Sequence, residues 1–173
     1  MTLIKKLLTC PVFMFGAITG ISIFALAAAL FSEVALGLEP CILCIYQRIP
    51  FVIGAVLGII GLALRNNPNA VQALLALLGL NFLTNASIAF YHTGVEQKWW
   101  ASAVEGCAVP NFTDTSAQSI LENIMSAPTA NCAEIPWQDP IIGLSMANYN
   151  VLLCLDIFTA CALALYLKRH PAT

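Results

Sequence analysis

The chain has 173 residues, of which 60% are hydrophobic and 9% charged, with a formal net charge of −2. Soluble domains carry about 45–50% apolar and about 25% charged residues, so an ordinary water-soluble globule is excluded. Nothing basic or interleaved with aromatics points to nucleic acid, and the near-neutral charge selects no partner.

The first element is an apolar run, Val12–Phe31, preceded by Lys5 and Lys6. A bilayer needs about 20 apolar residues per helix, and this run is longer than the 7–15 of a signal-peptide core, so it is expected to stay as an uncleaved membrane helix. A short loop leads to Pro40 and to the stretch "EPCILCIYQR", Glu39–Arg48, which opens the second apolar run, Ile45–Leu64. The breaker cluster "RNNPNA" then separates it from the third, Val71–Tyr91. A long polar segment follows, His92–Ile142, in which Asp114–Met125 has the pattern of a short amphipathic helix able to lie on the membrane surface. The fourth run is Gly143–Leu167. In hydrocarbon, backbone groups must be satisfied within each segment, so all four runs are helices. The fold class is therefore all-α, a bundle of four transmembrane helices with one long loop between the third and fourth. One integral membrane domain is expected to span residues 1–173.

Lys5, Lys6, Arg65, Lys168 and Arg169 all fall on one side of this topology, which marks that side as cytoplasmic and puts both termini there. Trp99, Trp100 and Trp137 are expected at the membrane interface, and the GxxxG patterns Gly16–Gly20 and Gly54–Gly58 as close helix contacts. Asp156, deep in the fourth run, is expected to be hydrogen-bonded and protonated inside the bundle.

Seven cysteines are present. Cys10, Cys154 and Cys161 read as small packing hydrophobes. Cys41, Cys44, Cys107 and Cys132 lie on the outer side, where disulfides persist. Four cysteines allow three connectivities, of which 41 with 44 and 107 with 132 is the natural one. By the chain-entropy relation the short bridge contributes about 2 kcal/mol and the longer one about 3.5. Cys41–Cys44 is thus a poor staple and a good redox couple, while Cys107–Cys132 reads equally as a staple. A zinc site built from the four thiols is disfavoured by an oxidising compartment, so no metal is expected.

If the second helix starts near Cys44, its dipole and Arg48 four residues on both favour a Cys44 thiolate. In the third run Asn81, Asn85, Ile88 and His92 form one stripe, which should face the bundle interior and carry His92 to the level of Arg48. Two donors, Arg48 and His92, beside Cys44 in an apolar wall would suit a quinone ring, whose oxygens gain charge on reduction. Snorkelling to headgroups is the plainer reading of Arg48.

"CILCIYQR" at the start of a second membrane helix, a cysteine pair in one long outer loop, "YHTGVEQKWW" and "GLSMANYN" together resemble the DsbB-type disulfide bond formation proteins of the bacterial inner membrane. The resemblance implies periplasmic loops at about 32–44 and 92–142 and a partner, a DsbA-like thioredoxin-fold oxidase of the periplasm. It implies that Cys107–Cys132 reoxidises this partner, with Cys107 taking the partner's cysteine. The electrons then pass to Cys41–Cys44 and to ubiquinone or menaquinone in the membrane pool. Arg48 matches the family's quinone-site arginine and His92 a histidine near it, whereas Gln47 stands where some members carry an acidic residue. A VKOR-like quinone reductase and a non-catalytic tetraspan braced by two disulfides are the alternatives; the first usually carries its C-x-x-C late in the bundle.

Overall fold

The computed structural model describes residues 2–104, 107 and 130–170. The helix expected over Asp114–Met125 lies outside these residues. Among them are five helices: α1 (Thr2–Thr9), α2 (Pro11–Leu36), α3 (Ile42–Ala63), α4 (Pro68–Glu96) and α5 (Met146–Arg169). The last four are long and apolar enough to cross a membrane.

Local chemistry sets the ends. Pro11 and Pro68 occupy first-turn positions, where a missing N–H costs nothing. Asn67 caps α4 by accepting the N–H groups of Asn69 and Ala70, and Ser145 caps α5 by accepting that of Asn148. α2 stops at Gly37, whose φ of 64° lets its N–H turn back to Glu33 while Leu38 reaches Ser32. Inside α3, Pro50 cannot donate to the helix ladder, and Asn81 of α4 donates to the Pro50 carbonyl at 2.9 Å.

α2, α3, α4 and α5 run up and down as neighbours, and α1 folds back against α2 and α5, where Lys168 Nζ donates to the Thr9 carbonyl. The core holds Phe15, Ile18, Leu75, Leu78 and Ile157, with Phe51 and Phe82 edge to face at 5.7 Å. Phe24, Val34, Ile53, Leu80 and Leu152 point outward instead, as side chains do where the surroundings are lipid. The architecture is the four-helix membrane bundle expected from the sequence.

Several details differ. α1 was not expected, and each long helix starts or ends beyond its apolar run because caps, not hydropathy, terminate it. Cys154 and Cys161 are buried core residues, but Cys10 is exposed at the α1–α2 break. Asp156 is exposed on the outer face of α5 rather than bonded within the bundle. Gly16 and Gly20 meet open space, whereas Gly58 and Gly61 let α2 and α3 approach closely, and Gly54 makes room for Phe82 of α4 as well as Ser22 of α2. A Cβ on Gly61 would enter the ring of Phe15, which is fully buried. Gly61→Leu is therefore expected to cost about 1–3 kcal/mol by overpacking, seen as a lower melting temperature in detergent; an unchanged melting temperature would mean that α2 and α3 separate freely here.

Candidate functional site

One end of the bundle collects polar side chains that the membrane interior would otherwise reject. Cys41 is the N-cap of α3, and its sulfur accepts the Cys44 N–H at 3.3 Å. The two sulfurs lie 2.9 Å apart as free thiols. The cap position belongs to Cys41 because α3 begins at Ile42, not near Cys44, so the dipole acts on the other cysteine from the one expected. The hydrogen bond from the Cys44 thiol holds the Cys41 thiol well below the ordinary thiol range; burial opposes this, and His92 and the Cys44 N–H support it. In reduced protein Cys41 should thus still be alkylated at about pH 6, where a free thiol near 8.5 is almost wholly protonated. A rate that follows an ordinary thiol titration removes this assignment.

His92, on the inward stripe of α4 with Asn85, is 3% exposed. Its Nε2 lies 3.5 Å from Cys41 Sγ and 3.7 Å from Glu96 Oε1, one turn on. Glu96 is itself buried and accepts from Ser145, the cap of α5. On the opposite side of the ring, Gln47 Nε2 lies 2.9 Å from Nδ1. Gln47 Oε1 accepts from Asn150 of α5, whose Oδ1 accepts from Cys154, whose sulfur in turn accepts from Asn85. The ligand atoms of Cys41, Cys44 and His92 lie within 4.8 Å of one another.

Cys107 and Cys132 form a disulfide, and it packs into one buried cluster with Cys41, Leu43 and Val95. Cys107 is 2% exposed and Cys132 fully buried, so neither sulfur is open to a soluble partner in this arrangement, although the resemblance has Cys107 taking the partner's cysteine. The apolar neighbours Leu43 and Val95 account for the burial. Tyr91 and Trp100 stack beside this cluster, with Trp100 lying over Gly94 and donating to the Tyr91 carbonyl.

Beneath the cysteines is a cavity of about 330 Å³. Ala25, Ala29, Phe51 and Leu153 form apolar wall, and Cys44, Arg48, His92, Gln47, Glu96 and Asn150 supply polar atoms. Arg48 does not snorkel freely: Nη2 lies 2.6 Å from Glu33 Oε1 of α2, an ion pair that falls short of hydrogen-bond geometry. Cys41, Cys44, Arg48, His92 and the Cys107–Cys132 bridge thus meet at one end of the bundle. Glu33, Glu96, Asn150 and the role of Gln47 were missed. The i, i+4 pairing of His92 with Glu96 was the one visible signal; the others are contacts between helices.

The family model described as "Disulfide bond formation protein DsbB" matches residues 11–166. A Disulfide bond formation protein B of Xylella fastidiosa is 33% identical over 73% of this chain and 73% of its own length. One of Dechloromonas aromatica is 30% identical over 81% and 82%. An uncharacterized protein of Rickettsia prowazekii is 30% identical over 80% and 79%. With that extent of match, the chain belongs to the DsbB family.

Proposed function

We propose that the protein is a disulfide oxidoreductase of the bacterial inner membrane, which reoxidises a DsbA-like thiol oxidase in the periplasm and passes the electrons to a membrane quinone. The observation that carries this is the burial of the Cys107–Cys132 disulfide against the Cys41–Cys44 pair, directly above a cavity that Cys44, Arg48 and His92 line. A bracing disulfide needs no second cysteine pair at its side.

The exchange balances as follows. The partner's dithiol gives two electrons and two protons to Cys107–Cys132, leaving the partner disulfide and two loop thiols. Those thiols reduce a Cys41–Cys44 disulfide, which restores the loop bridge and leaves the reduced pair seen beside it. Cys41 is the exchange sulfur, the one a loop thiolate attacks with Cys44 as the leaving thiolate, because it is the member of the pair buried in the loop cluster. Cys44 is the member that lines the cavity.

The cavity fits a quinone head group in size, since ligand sites start near 300 Å³, and in donors. Arg48 would bind an oxygen that gains charge, and His92 and Glu96 stand where thiol protons must leave. A bound quinone would supply a two-electron, two-proton acceptor. Arg65 and Lys168 line a second cavity at the opposite end, the end with the basic residues, which supports cytoplasmic termini and periplasmic cysteines.

The test is stoichiometry. Full-length protein, a reduced thioredoxin-fold dithiol oxidase and a short-chain quinone are mixed without oxygen. One quinone should be reduced per partner disulfide formed, and Cys44→Ser should stop it. Partner oxidation without quinone reduction would overturn the assignment of the acceptor, and unaffected turnover in Cys44→Ser the assignment of the pair.

A further inference from the structure

A histidine beside a thiolate is useful only if it presents a hydrogen to the sulfur. The neutral ring carries one hydrogen on either nitrogen, and the bond made by the far nitrogen decides which. Here that nitrogen, Nδ1, faces the side chain of Gln47.

We propose that Gln47 is a positioning residue, whose side-chain amide holds His92 in the tautomer that carries its hydrogen on Nε2 and so turns an N–H toward the Cys41 sulfur. The orientation of the amide follows from its other neighbours. The Leu43 carbonyl, 3.1 Å from Gln47 Nε2, can only accept, so the amide's NH2 must face it. Gln47 Oε1 accepts from Asn150 Nδ2 at 2.6 Å, and Asn150 is oriented in turn by the Cys154 thiol, which donates to its Oδ1. The second hydrogen of the Gln47 amide then points at Nδ1, which must accept it. The ring hydrogen is left on Nε2, facing Cys41 at 3.5 Å and Glu96 at 3.7 Å. The opposite tautomer would put a lone pair against the thiolate and an N–H against an N–H.

The same lock bears on the cluster of Cys41, Cys44 and His92. Their spacing suits a thiophilic cation, but a nitrogen that carries hydrogen is not a ligand. Gln47 therefore keeps the reduced pair for exchange. A carboxylate at 47 would reverse this side of the ring by accepting from Nδ1, charging the imidazole.

The inference rests on the proposed exchange role of Cys41 for its purpose, but its test does not use turnover. The full chain is labelled with 15N-histidine and reduced in detergent micelles. His92 is assigned with His170→Gln, the chain having two histidines. Long-range 1H–15N correlation should show Nε2 protonated and Nδ1 bare. Gln47→Met should shift both nitrogens toward mixed tautomers, and move the midpoint of Cys41 alkylation against pH upward, by about the two- to tenfold change in proton affinity that one neutral hydrogen bond supplies. Gln47→Glu should protonate Nδ1 as well. The double variant Gln47→Met/Asn150→Leu, which leaves no unpaired amide behind, should match Gln47→Met if the single variant folds poorly. Nδ1 protonated in the native protein, or nitrogen shifts unmoved by both variants, overturns the proposal. The expected shifts without quinone-coupled turnover would leave the lock standing and remove only the redox reading.

Discussion

Arg48→Lys is expected to raise the quinone concentration for half-maximal turnover by about ten- to a hundredfold, the cost of losing a hydrogen bond to a charged group, 1.5–3 kcal/mol. Arg48 has two tasks at once. Its guanidinium pairs with Glu33, and the residue also lines the cavity. The planar fork serves both; an ammonium is a point charge on a flexible stem and would serve Glu33 alone. The cysteines should keep their alkylation pattern, since Arg48 is not hydrogen-bonded to either sulfur. If the concentration dependence of turnover is the same in Arg48→Lys as in the native chain, Arg48 only balances Glu33 and the cavity takes its ligand without it.

The larger effect should come from the loop cysteines. Cys107→Ser is expected to abolish partner oxidation, whereas Cys132→Ser should accumulate a partner joined covalently through Cys107, visible on a non-reducing gel. The buried disulfide changes how this occurs. With Cys107 2% exposed and its neighbours Leu43 and Val95 buried around it, the segment carrying the bridge must leave that cluster before a soluble thiol can reach it. Capture should then saturate at high partner concentration, at the rate of undocking. A complex trapped on Cys41 or Cys44, with turnover surviving in Cys107→Ser, would make the bridge a staple and end the two-disulfide relay.

The spans were legible because bilayer crossing is a matter of length and apolarity, and Val12–Phe31 or Val71–Tyr91 satisfy it without reference to the fold. Their ends were not legible. α4 runs past Tyr91 through His92, Thr93 and Glu96, polar residues that stay helical because α5 and the loop cover them. On the site, helical spacing alone brought Arg48 under Cys44 and His92 onto the inner stripe. It could not say that Glu33 meets Arg48 or that Asn150 meets Gln47, since contacts between helices depend on how far each has slid along the other. The exchange of Cys41 for Cys44 as the capped sulfur has the same origin: a helix starting two residues earlier moves the end of the dipole onto a different thiol.

Cys41 is 6% exposed beneath the loop bridge. A thiolate left open to an oxidising compartment is a target for peroxides and for stray disulfides, and once oxidised to sulfinic acid it is lost. Roofed by Cys107–Cys132, it would, in the proposed orientation, meet the periplasm only through the one bond that exchange restores. In the proposed relay this roof would make the circuit insulated as well as connected: chemical wear would fall on the exchangeable disulfide, and the sulfur beneath it would be spared.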